Sequence, residues 1–436
     1  MQTKQVVVFW FRRDLRLEDN HGLYEALKSS LPVLPLFIFD TEILDKLPSK
    51  KDARVEFIHR HLEKIHKVLN QQGSGLYVTK GKPVEIFREL LSKHKINTVY
   101  ANKDYEPYAL QRDEDVKELL QDNHADLKLF KDQVIFEESE VVKDDGKPYT
   151  VYTPFSRKWK AKLLEEPLSN FSSEKYLDKF IKQKGTFLSL QQIGFEPTGI
   201  KLPEPLLEDE RLEKYQETRN IPALDSTTKT GVHLRFGTIS VRKLVHLARQ
   251  KSETYLNELI WREFFMQILF HFPQVETQNF NAKYDRVQWR NNEQDFKNWC
   301  EGKTGYPMVD AGMRELNATG FMHNRVRMLV ASFLTKHLLI DWRWGEAYFA
   351  EKLLDYELAS NNGNWQWAAG TGCDAAPYFR VFNPMEQHKK FDPHSEYLKK
   401  WVPEWQDFNY AQPIVDHKFA RERAINSYKE ALNYRT

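Results

Sequence analysis

The N-terminal third of the chain alternates short apolar runs with amphipathic stretches. The apolar runs predicted as strands lie at 6–11, 33–39, 76–79, 98–101 and 127–130. Between them, the apolar residues of 55–69 recur at helical spacing, and Pro83 begins a second helical stretch. Strands that alternate with helices usually form a parallel sheet covered on both faces. We therefore predict an α/β domain with a doubly wound parallel sheet over residues 1–136.

Phosphate-binding loops of the usual glycine-rich kinds are missing from this domain. Neither the segment 73–78 nor the segment 75–83 completes such a motif, which disfavours kinase, GTPase and dehydrogenase functions. The loop after the first strand carries Arg12, Arg13 and Arg16. We interpret these arginines as ion-paired with acidic residues of the same loop, namely Asp14, Glu18 and Asp19.

The rest of the chain divides into a polar connection and a helical region. Residues 137–205 are rich in lysine and interrupted by prolines, which is typical of an interdomain linker. In 256–270 the apolar residues surround their helix, which indicates a buried position. We predict an all-α domain over 206–436, joined to the α/β domain by this linker.

Two stretches of the helical region carry polar and aromatic side chains at spacings of three and four. The first places on one helix face Tyr255, Glu258, Trp261 and Arg262. The second places on one side Asn324, Arg327 and Met328. Either stripe could line a cavity. The alternative for the first is an i,i+4 pair between Glu258 and Arg262 on a solvated face, and Met328 by itself is typical of core filling.

Composition narrows the class of protein. A hydrophobic content of 41% is typical of a globular protein, and no apolar run approaches the roughly 20 residues that span a bilayer. The first residues, 1–5, lack the basic start and apolar core of a signal peptide. The only cysteines are Cys300 and Cys373, so we expect a cytoplasmic location and no metal site. The net charge of +2 means that any DNA contact must come from a local patch.

Several motifs together resemble the photolyase and cryptochrome family. The longest is 361–384, in which Trp365 and Trp367 lie among amides and small residues. We expect its Gly363, Ala368 and Gly370 to leave room for a flat ligand. The other matching segments are 9–20, 153–155, 259–265 and 302–314. The resemblance covers essentially the whole chain and is greatest to class I cyclobutane pyrimidine dimer photolyases.

This resemblance implies that the helical domain binds FAD folded into a U. The residues that it implies around the cofactor are Tyr215, Thr227, Thr228, Lys229, Thr230, Gly231, Tyr255, Arg327, Asp355, Glu357 and Asn361. In the loop 227–231 the chain departs from the family pattern, because threonine and glycine replace leucine and serine at 230 and 231. We expect Arg327 to pair with Asp355, since an unpaired buried charge is costly. The amide of Asn361 is expected to face N5 of the flavin.

The activity that the resemblance implies is light-driven repair of cyclobutane pyrimidine dimers in DNA. Light excites reduced FAD, an electron passes to the dimer, the ring splits, and the electron returns. The implied catalytic residues are Glu258, Asn324, Met328 and Asn361. The residues implied in electron transfer between the surface and the flavin are Trp289, Trp342 and Trp365. Those implied in DNA binding are Arg219, Glu258, Trp261, Arg262, Asn324, Arg325, Trp367, Arg380 and Gln387.

A cryptochrome, a blue-light receptor with the same fold, is the alternative that stays open. The four implied catalytic residues occurring together favour repair, and so does the end of the chain soon after the last helical pattern. A cryptochrome of the DASH type is disfavoured by Trp367, where that group usually carries tyrosine. We expect UV-damaged DNA as the partner, a monomer, and no membrane association. A second, antenna chromophore of folate or deazaflavin type is compatible with the sequence.

Overall fold

The computed structural model describes residues 5–433. The residues before Gln5 and after Asn433, on which the arguments about a signal peptide and a C-terminal tail rest, lie outside this range. Packing divides the chain into two compact units, each discontinuous in sequence. The first comprises residues up to 142 with 158–205 and 229–250, and the second comprises 143–157, 206–228 and 251 onward. The stretch interpreted as a linker contributes to both units, and the domain boundaries at 136 and 205 stay a prediction.

A five-stranded sheet forms the centre of the first unit. The strands are β1 (Gln5–Phe11), β2 (Val33–Asp40), β3 (Tyr77–Gly81), β4 (Lys95–Asn102) and β5 (Asp126–Phe130). Their order is β3-β2-β1-β4-β5, and every neighbouring pair is parallel. β1 and β2 are buried almost throughout, which explains why they are continuous apolar runs. The predicted parallel α/β sheet is confirmed.

The helices are numbered in chain order across both units. Those before residue 200 are α1 (His21–Leu27), α2 (Thr41–Leu44), α3 (Ala53–Gln71), α4 (Pro83–Lys93), α5 (Pro107–Asp122) and α6 (Tyr152–Glu165). Those between 200 and 300 are α7 (Asp209–Glu213), α8 (Tyr215–Thr218), α9 (Thr230–Arg235), α10 (Val241–Lys251), α11 (Glu253–His271) and α12 (Glu293–Cys300). The remainder are α13 (Pro307–Thr319), α14 (Asn324–Ser332), α15 (Trp342–Lys352), α16 (Leu358–Ala369), α17 (Pro384–Phe391), α18 (Glu396–Trp401) and α19 (His417–Asn433).

Short non-α turns complete the helical structure. Turns of 3-10 helix occupy Ser173–Lys179, Pro273–Glu276 and Ala282–Arg286, and a π-helical turn occupies Phe333–His337. Within residues 5–433, no helix is long and apolar enough to cross a membrane. In the same range, no three histidine, cysteine or acidic side chains are grouped so that they could hold a metal ion.

Buried charges surround the carboxyl ends of β1 and β4 in the first unit. We call them the sheet-edge cluster. Its ion pairs join Arg12 to Asp113, Arg13 to Asp104 and Glu106, Arg16 to Asp132, and Arg242 to Asp19 and Asp132. The arginines after β1 form ion pairs, as predicted. The prediction that their acidic partners lie in the same loop was wrong. Asp14 accepts from the backbone N–H of Arg12, and Glu18 offers Arg16 only its carbonyl oxygen, because the long arginine side chains reach across the sheet edge.

Helix α16 lies at the centre of the second unit, where it packs against α11, α14 and α15. A Cβ atom on Gly363 would lie 2.1 Å from the ring of Phe265, and one on Gly345 would lie 2.1 Å from the ring of Trp365. The expectation that Gly363 leaves room for a flat ligand was therefore wrong, since Phe265 fills that space. Gly370 has a φ of 78° and ends α16, which is a common role of glycine.

Candidate active site

Three helices of the second unit, α11, α14 and α16, carry the four predicted catalytic residues. Ser252 caps α11 by accepting from the backbone N–H of Tyr255 at 3.3 Å. His323 caps α14 through Nδ1, which accepts from the backbone N–H of Arg325 at 3.2 Å. Caps of this kind fix where a helix begins. The start of α11 and the start of α14 therefore set the direction in which the side chains at spacings of three and four point.

A cavity lies beside α14 and α16, and we call it the inner cavity. The predicted residues that line it are Asn324, Arg327, Met328, Asp355, Glu357, Asn361, Trp365 and Trp367. Ala368 also lines it, as expected for a small residue beside a ligand.

The charged residues that line the inner cavity form ion pairs, but one carboxylate oxygen accepts no hydrogen bond from the described residues. Arg327 Nη2 donates to Asp355 Oδ2 at 2.9 Å, so the expected ion pair is present. Arg262 Nη2 donates to Glu357 Oε1 at 3.0 Å. The other oxygen of Asp355, Oδ1, is buried and has no hydrogen-bond partner among the described residues. Leaving a buried acceptor unsatisfied is costly. A ligand hydroxyl or N–H group therefore suits this position.

The amide of Asn361 is held by Glu346, a residue that the sequence analysis missed. Nδ2 of Asn361 donates to the backbone carbonyl and to Oε1 of Glu346, both at 3.1 Å. With both Nδ2 protons engaged, Oδ1 is the atom that Asn361 can offer to a ligand. Burial raises the pKa of Glu346 to about 7, although the hydrogen bond from Asn361 lowers it. The available signal was the neighbouring Gly345, since a glycine inside a helix often marks close packing.

A second cavity adjoins the first, and we call it the outer cavity. The residues that line both cavities are Asn324, Met328, Ser360, Asn364 and Trp367. The other residues of the outer cavity are Arg219, Glu258, Trp261, Arg262 and Phe265. The two predicted stripes therefore face one continuous region.

Glu258 pairs with Arg219 across the outer cavity. Arg219 Nη1 donates to Glu258 Oε1 at 2.5 Å, whereas Arg262 pairs with Glu357. The alternative of an i,i+4 pair between Glu258 and Arg262 was therefore wrong. Within this pair the Glu258 carboxylate is an acceptor only. It needs a proton before it can donate to a ligand.

Tyr152, a second residue missed in the sequence, covers one face of Trp261. The two ring centroids lie 3.7 Å apart, and the ring planes differ by 4°. The hydroxyl of Tyr152 donates to the backbone carbonyl of Asn257 at 2.9 Å. This stack fixes the plane of an indole that lines the outer cavity. Tyr152 is far from Trp261 in the chain, and no local pattern indicates the contact.

Three arginines make one part of the second unit positive. Burial and the charges of Arg219 and Arg380 lower the pKa of Arg325, so these guanidinium groups lie close enough to repel one another. Arg325 Nη2 donates to Asn220 Oδ1 at 2.7 Å, and its guanidinium lies 4.4 Å from the ring centroid of Phe391. Its Nε is buried without a partner among the described residues. Clustered cations of this kind favour an anionic ligand.

Other predicted residues do not line the two cavities. Tyr215 and Tyr255 are buried, and their ring centroids lie 5.3 Å apart. The described residues that line the two cavities include neither Gln387 nor any residue of the loop 227–231. Within that loop the chain passes from the second unit to the first. Lys229, directly before α9, has a left-handed backbone with a φ of 55°.

The three predicted relay tryptophans share one apolar cluster. Trp342 and Trp365 are buried within it, and Trp289 packs against it while remaining partly exposed. Trp365 also lines the inner cavity. Nε1 of Trp342 donates to Asn279 Oδ1 at 2.9 Å. The cluster thus extends from the wall of the inner cavity to a partly exposed indole.

Comparison with known proteins identifies the family. The family model described as the FAD binding domain of DNA photolyase matches residues 255–409, and the DNA photolyase model matches 7–172. A deoxyribodipyrimidine photo-lyase of Agrobacterium fabrum is 36% identical over 97% of both chains.

Solved structures agree with this relationship. The crystal structure of a class III photolyase from Agrobacterium tumefaciens has a TM-score of 0.88 and 35% identity, and the match covers 100% of this chain and 99% of that one. An archaeal photolyase from Sulfolobus tokodaii, solved with two FAD molecules, has a TM-score of 0.85 and 34% identity over 97% and 99% of the two chains. The chain therefore belongs to the DNA photolyase family and carries the FAD-binding domain of that family.

Proposed function

We propose that the protein is a deoxyribodipyrimidine photo-lyase, an enzyme that uses light and reduced FAD to split cyclobutane pyrimidine dimers in DNA. The observation that carries the proposal is the wall shared by the two cavities. Asn324, Met328 and Trp367 line both, so a flavin in the inner cavity and a dimer in the outer cavity would lie on either side of the same side chains.

FAD fits the donor and acceptor groups of the inner cavity. Asp355 Oδ1 would accept from a hydroxyl or ring N–H of the cofactor, while Arg327 holds the other oxygen of the same carboxylate. Glu357 is fixed by Arg262 at the start of α16. The apolar surfaces of Trp365 and Met328 suit a flat aromatic ring. Tyr215, Tyr255 and the loop 227–231 are proposed to complete the site by resemblance to the family.

Asn361 is proposed to face N5 of the flavin through its Oδ1. Glu346 accepts both hydrogen bonds that Asn361 Nδ2 donates. The Asn361 Oδ1 atom would therefore accept a hydrogen bond from a protonated N5. A neutral amide adds no negative charge beside the flavin, which keeps a reduced, negatively charged ring accessible. Asn361→Asp would place a carboxylate next to Glu346, and two such groups in one site resist ionising together.

Dimer recognition is assigned to the outer cavity. Glu258 and Asn324 would hydrogen-bond the base edges, and Met328 would contact the dimer. The indoles of Trp261 and Trp367 would form an apolar corner for the extruded bases. Extruding a base pair costs a few kcal/mol, and least where stacking is already damaged.

DNA phosphates are assigned to the positive region beside the cavity. The proposed phosphate contacts are Arg219, Arg262, Arg325 and Arg380, with Gln387 as a further polar contact. Burial and, after it, repulsion from Arg219 and Arg380 lower the pKa of Arg325. A phosphate would relieve this repulsion, which supports the assignment. A phosphate that binds Arg219 would also free the Glu258 carboxylate from its ion pair with this arginine. Such contacts bind damaged and undamaged DNA alike.

FAD supplies the electron that opens the dimer when light excites its reduced form. The chain would contribute binding, orientation and exclusion of water around the two cavities. Trp365, Trp342 and Trp289 are proposed to carry electrons inward when the bound flavin must first be reduced. The proposal also includes a monomer, a cytoplasmic location and an antenna chromophore of folate or deazaflavin type, which mass and absorbance of the released pigments would identify.

The decisive experiment is light-dependent repair of a thymine dimer in single- and double-stranded oligonucleotides. The holoenzyme, reduced chemically before illumination, should restore intact thymines in the light and leave them dimerised in the dark. Glu258→Ala should lower the yield of splitting per absorbed photon more than it weakens DNA binding. As the matched comparison, Arg325→Ala should weaken binding of damaged and undamaged DNA equally and reduce its salt dependence. If fully reduced wild-type protein repairs neither substrate, the cryptochrome function is correct.

A further inference from the structure

The segment 152–155 packs against helix α11 beside the outer cavity. Phe155 is buried, and its ring centroid lies 5.3 Å from that of Phe264 in α11. Tyr152, the first residue of α6, stacks on Trp261 of the same helix α11. Among the described residues that line the two cavities, none belongs to this segment. The segment can therefore act on the outer cavity through the side chains of α11.

Tyr152 is itself held at its hydroxyl, its backbone and the side of its ring. The hydroxyl donates to the backbone carbonyl of Asn257 at 2.9 Å, and the backbone N–H donates to Oδ2 of Asp374 at 3.0 Å. The ring of Phe264 meets the Tyr152 ring edge-on, with the centroids 5.9 Å apart and the planes at 79°. A ring fixed in these three ways is a rigid support for whatever stacks on it.

The supported group is the indole of Trp261, which is half-buried and lines the outer cavity. Tyr152 covers one face of this indole, with the ring planes 4° from parallel, and leaves the rest of the ring to the cavity. Burial and, after it, the charge of Glu258 raise the pKa of Tyr152, so the phenol stays neutral. Two uncharged rings make the contact, and salt should therefore not weaken it.

We propose that Tyr152 is a positioning residue for damage recognition, which holds the indole of Trp261 in the plane against which a cyclobutane dimer packs. The inference rests on the proposed function, which assigns the dimer to the outer cavity. An indole that is already immobile loses no further freedom when the dimer binds, whereas ordering a mobile side chain costs affinity. The bases of undamaged DNA stay stacked in the duplex and do not reach the indole. The effect of Tyr152 should therefore appear in the preference for damaged DNA.

The first test measures the dissociation constants of FAD-loaded protein for a thymine-dimer duplex and for the same duplex without damage. Tyr152→Leu removes the ring and should weaken binding of the dimer duplex about 3- to 10-fold. Its affinity for undamaged DNA and the salt dependence of binding should stay at the wild-type values. Tyr152→Phe keeps the stacked ring and should retain most of the preference. The matched control is Tyr149→Leu, since the ring of Tyr149 packs against Phe155.

The second test follows the indole without DNA, by fluorine NMR of FAD-loaded protein that contains fluorotryptophan. The resonance of Trp261 is identified by its loss in Trp261→Phe. Tyr152→Leu should shift this resonance, because the ring current of the stacked tyrosine is removed, and Tyr152→Phe should leave it near the wild-type position. Asp374→Gly removes the acceptor of the Tyr152 N–H, and glycine tolerates the φ of 45° at this residue. It should shift the resonance and lower the preference in the same direction, but by less.

The outcomes separate positioning from a general structural role. Equal weakening of damaged and undamaged binding in Tyr152→Leu would overturn the inference, and so would an unchanged preference. If Tyr152→Leu does not fold, an unchanged preference and an unmoved resonance in Asp374→Gly would overturn it instead. Absence of any preference in the wild-type protein would remove the proposed function, on which the inference rests. Light-dependent repair by chemically reduced wild-type enzyme tests that function separately.

Discussion

Two carboxylates, one in each unit, are held by arginine in contrasting ways. In the sheet-edge cluster, Arg16 and Arg242 both reach Asp132, at 2.7 and 2.8 Å, and the Asp132 side chain is 1% exposed. In the inner cavity, Arg327 and Asp355 pair at 2.9 Å with side chains 24% and 19% exposed, and Asp355 keeps one oxygen without a partner. Both oxygens of Asp132 accept hydrogen bonds from arginine, whereas Asp355 leaves one oxygen for a ligand.

This contrast distinguishes charge that completes a fold from charge that serves a ligand. The gap between neighbouring parallel strands whose connections run in opposite directions is a common nucleotide site, and β1 and β4 form such a gap here. Ion pairs among Arg12, Arg13 and their acidic partners occupy its carboxyl end. Beside α14 and α16, by contrast, Arg327, Asp355 and Asn361 line an open space. Of the two carboxylates compared, Asp132 and Asp355, the one with an unsatisfied oxygen is the one that lines a cavity.

The largest expected effect comes from breaking the sheet-edge cluster. Asp132→Ala leaves two buried arginines without their shared carboxylate, which should cost about 3–5 kcal/mol of the free energy of unfolding. The matched control is Glu89→Ala, which removes an exposed ion pair with Lys93 in the same unit and should change stability by less than about 1 kcal/mol. Urea unfolding of both variants checks this. Equal losses would show that Asp132 has no special role.

The next effect concerns the pH dependence of the free energy of unfolding, in which Glu346 differs from the ion-paired residues. Burial raises its pKa to about 7, so between its ordinary pKa and about 7 the folded protein binds a proton that the unfolded chain has lost. Its contribution is fully present below the ordinary pKa and is lost as pH rises through about 7, by up to about 3 kcal/mol.

Glu346→Gln should remove this part of the pH dependence, because the amide does not titrate. The measurement is urea unfolding between about pH 5 and about pH 8. Glu351→Gln, an exposed position on the same helix α15, should keep the wild-type slope. An unchanged slope in Glu346→Gln would mean that the carboxyl is ionised throughout this range.

The strands and the long helices could be predicted because their burial is visible locally. β1 and β2 are buried on both faces, so they appear as apolar runs at 6–11 and 33–39, and α11 shows apolar residues all round over 256–270. The stripe at 324–328 was found because helical spacing alone places those side chains on one side.

The missed residues depend on contacts that no local pattern encodes. Gly345 signals close packing beside Glu346, but the partner of Glu346 follows from the approach of α15 to α16. Tyr152 and Trp261 meet from distant segments. Arg16 and Asp132 likewise find each other across the sheet edge rather than within one loop. In each case the choice of partner is set by tertiary packing, whereas the type of residue was visible in the sequence.

Among these substitutions, Asp355→Ala should have the smallest effect on stability. It should have the largest effect on FAD affinity. Its ion pair with Arg327 is partly exposed, so Asp355→Ala should cost about 1 kcal/mol of folding free energy. FAD should bind about 10- to 100-fold more weakly, because a hydrogen bond to a buried charged oxygen is lost. Asp355→Asn keeps an oxygen acceptor and should lose less affinity. Titration of flavin fluorescence and urea unfolding measure the two effects separately. If Asp355→Ala instead unfolds the protein as strongly as Asp132→Ala while FAD affinity is unchanged, the inner cavity holds its charges for the fold alone, and the contrast between the two units fails.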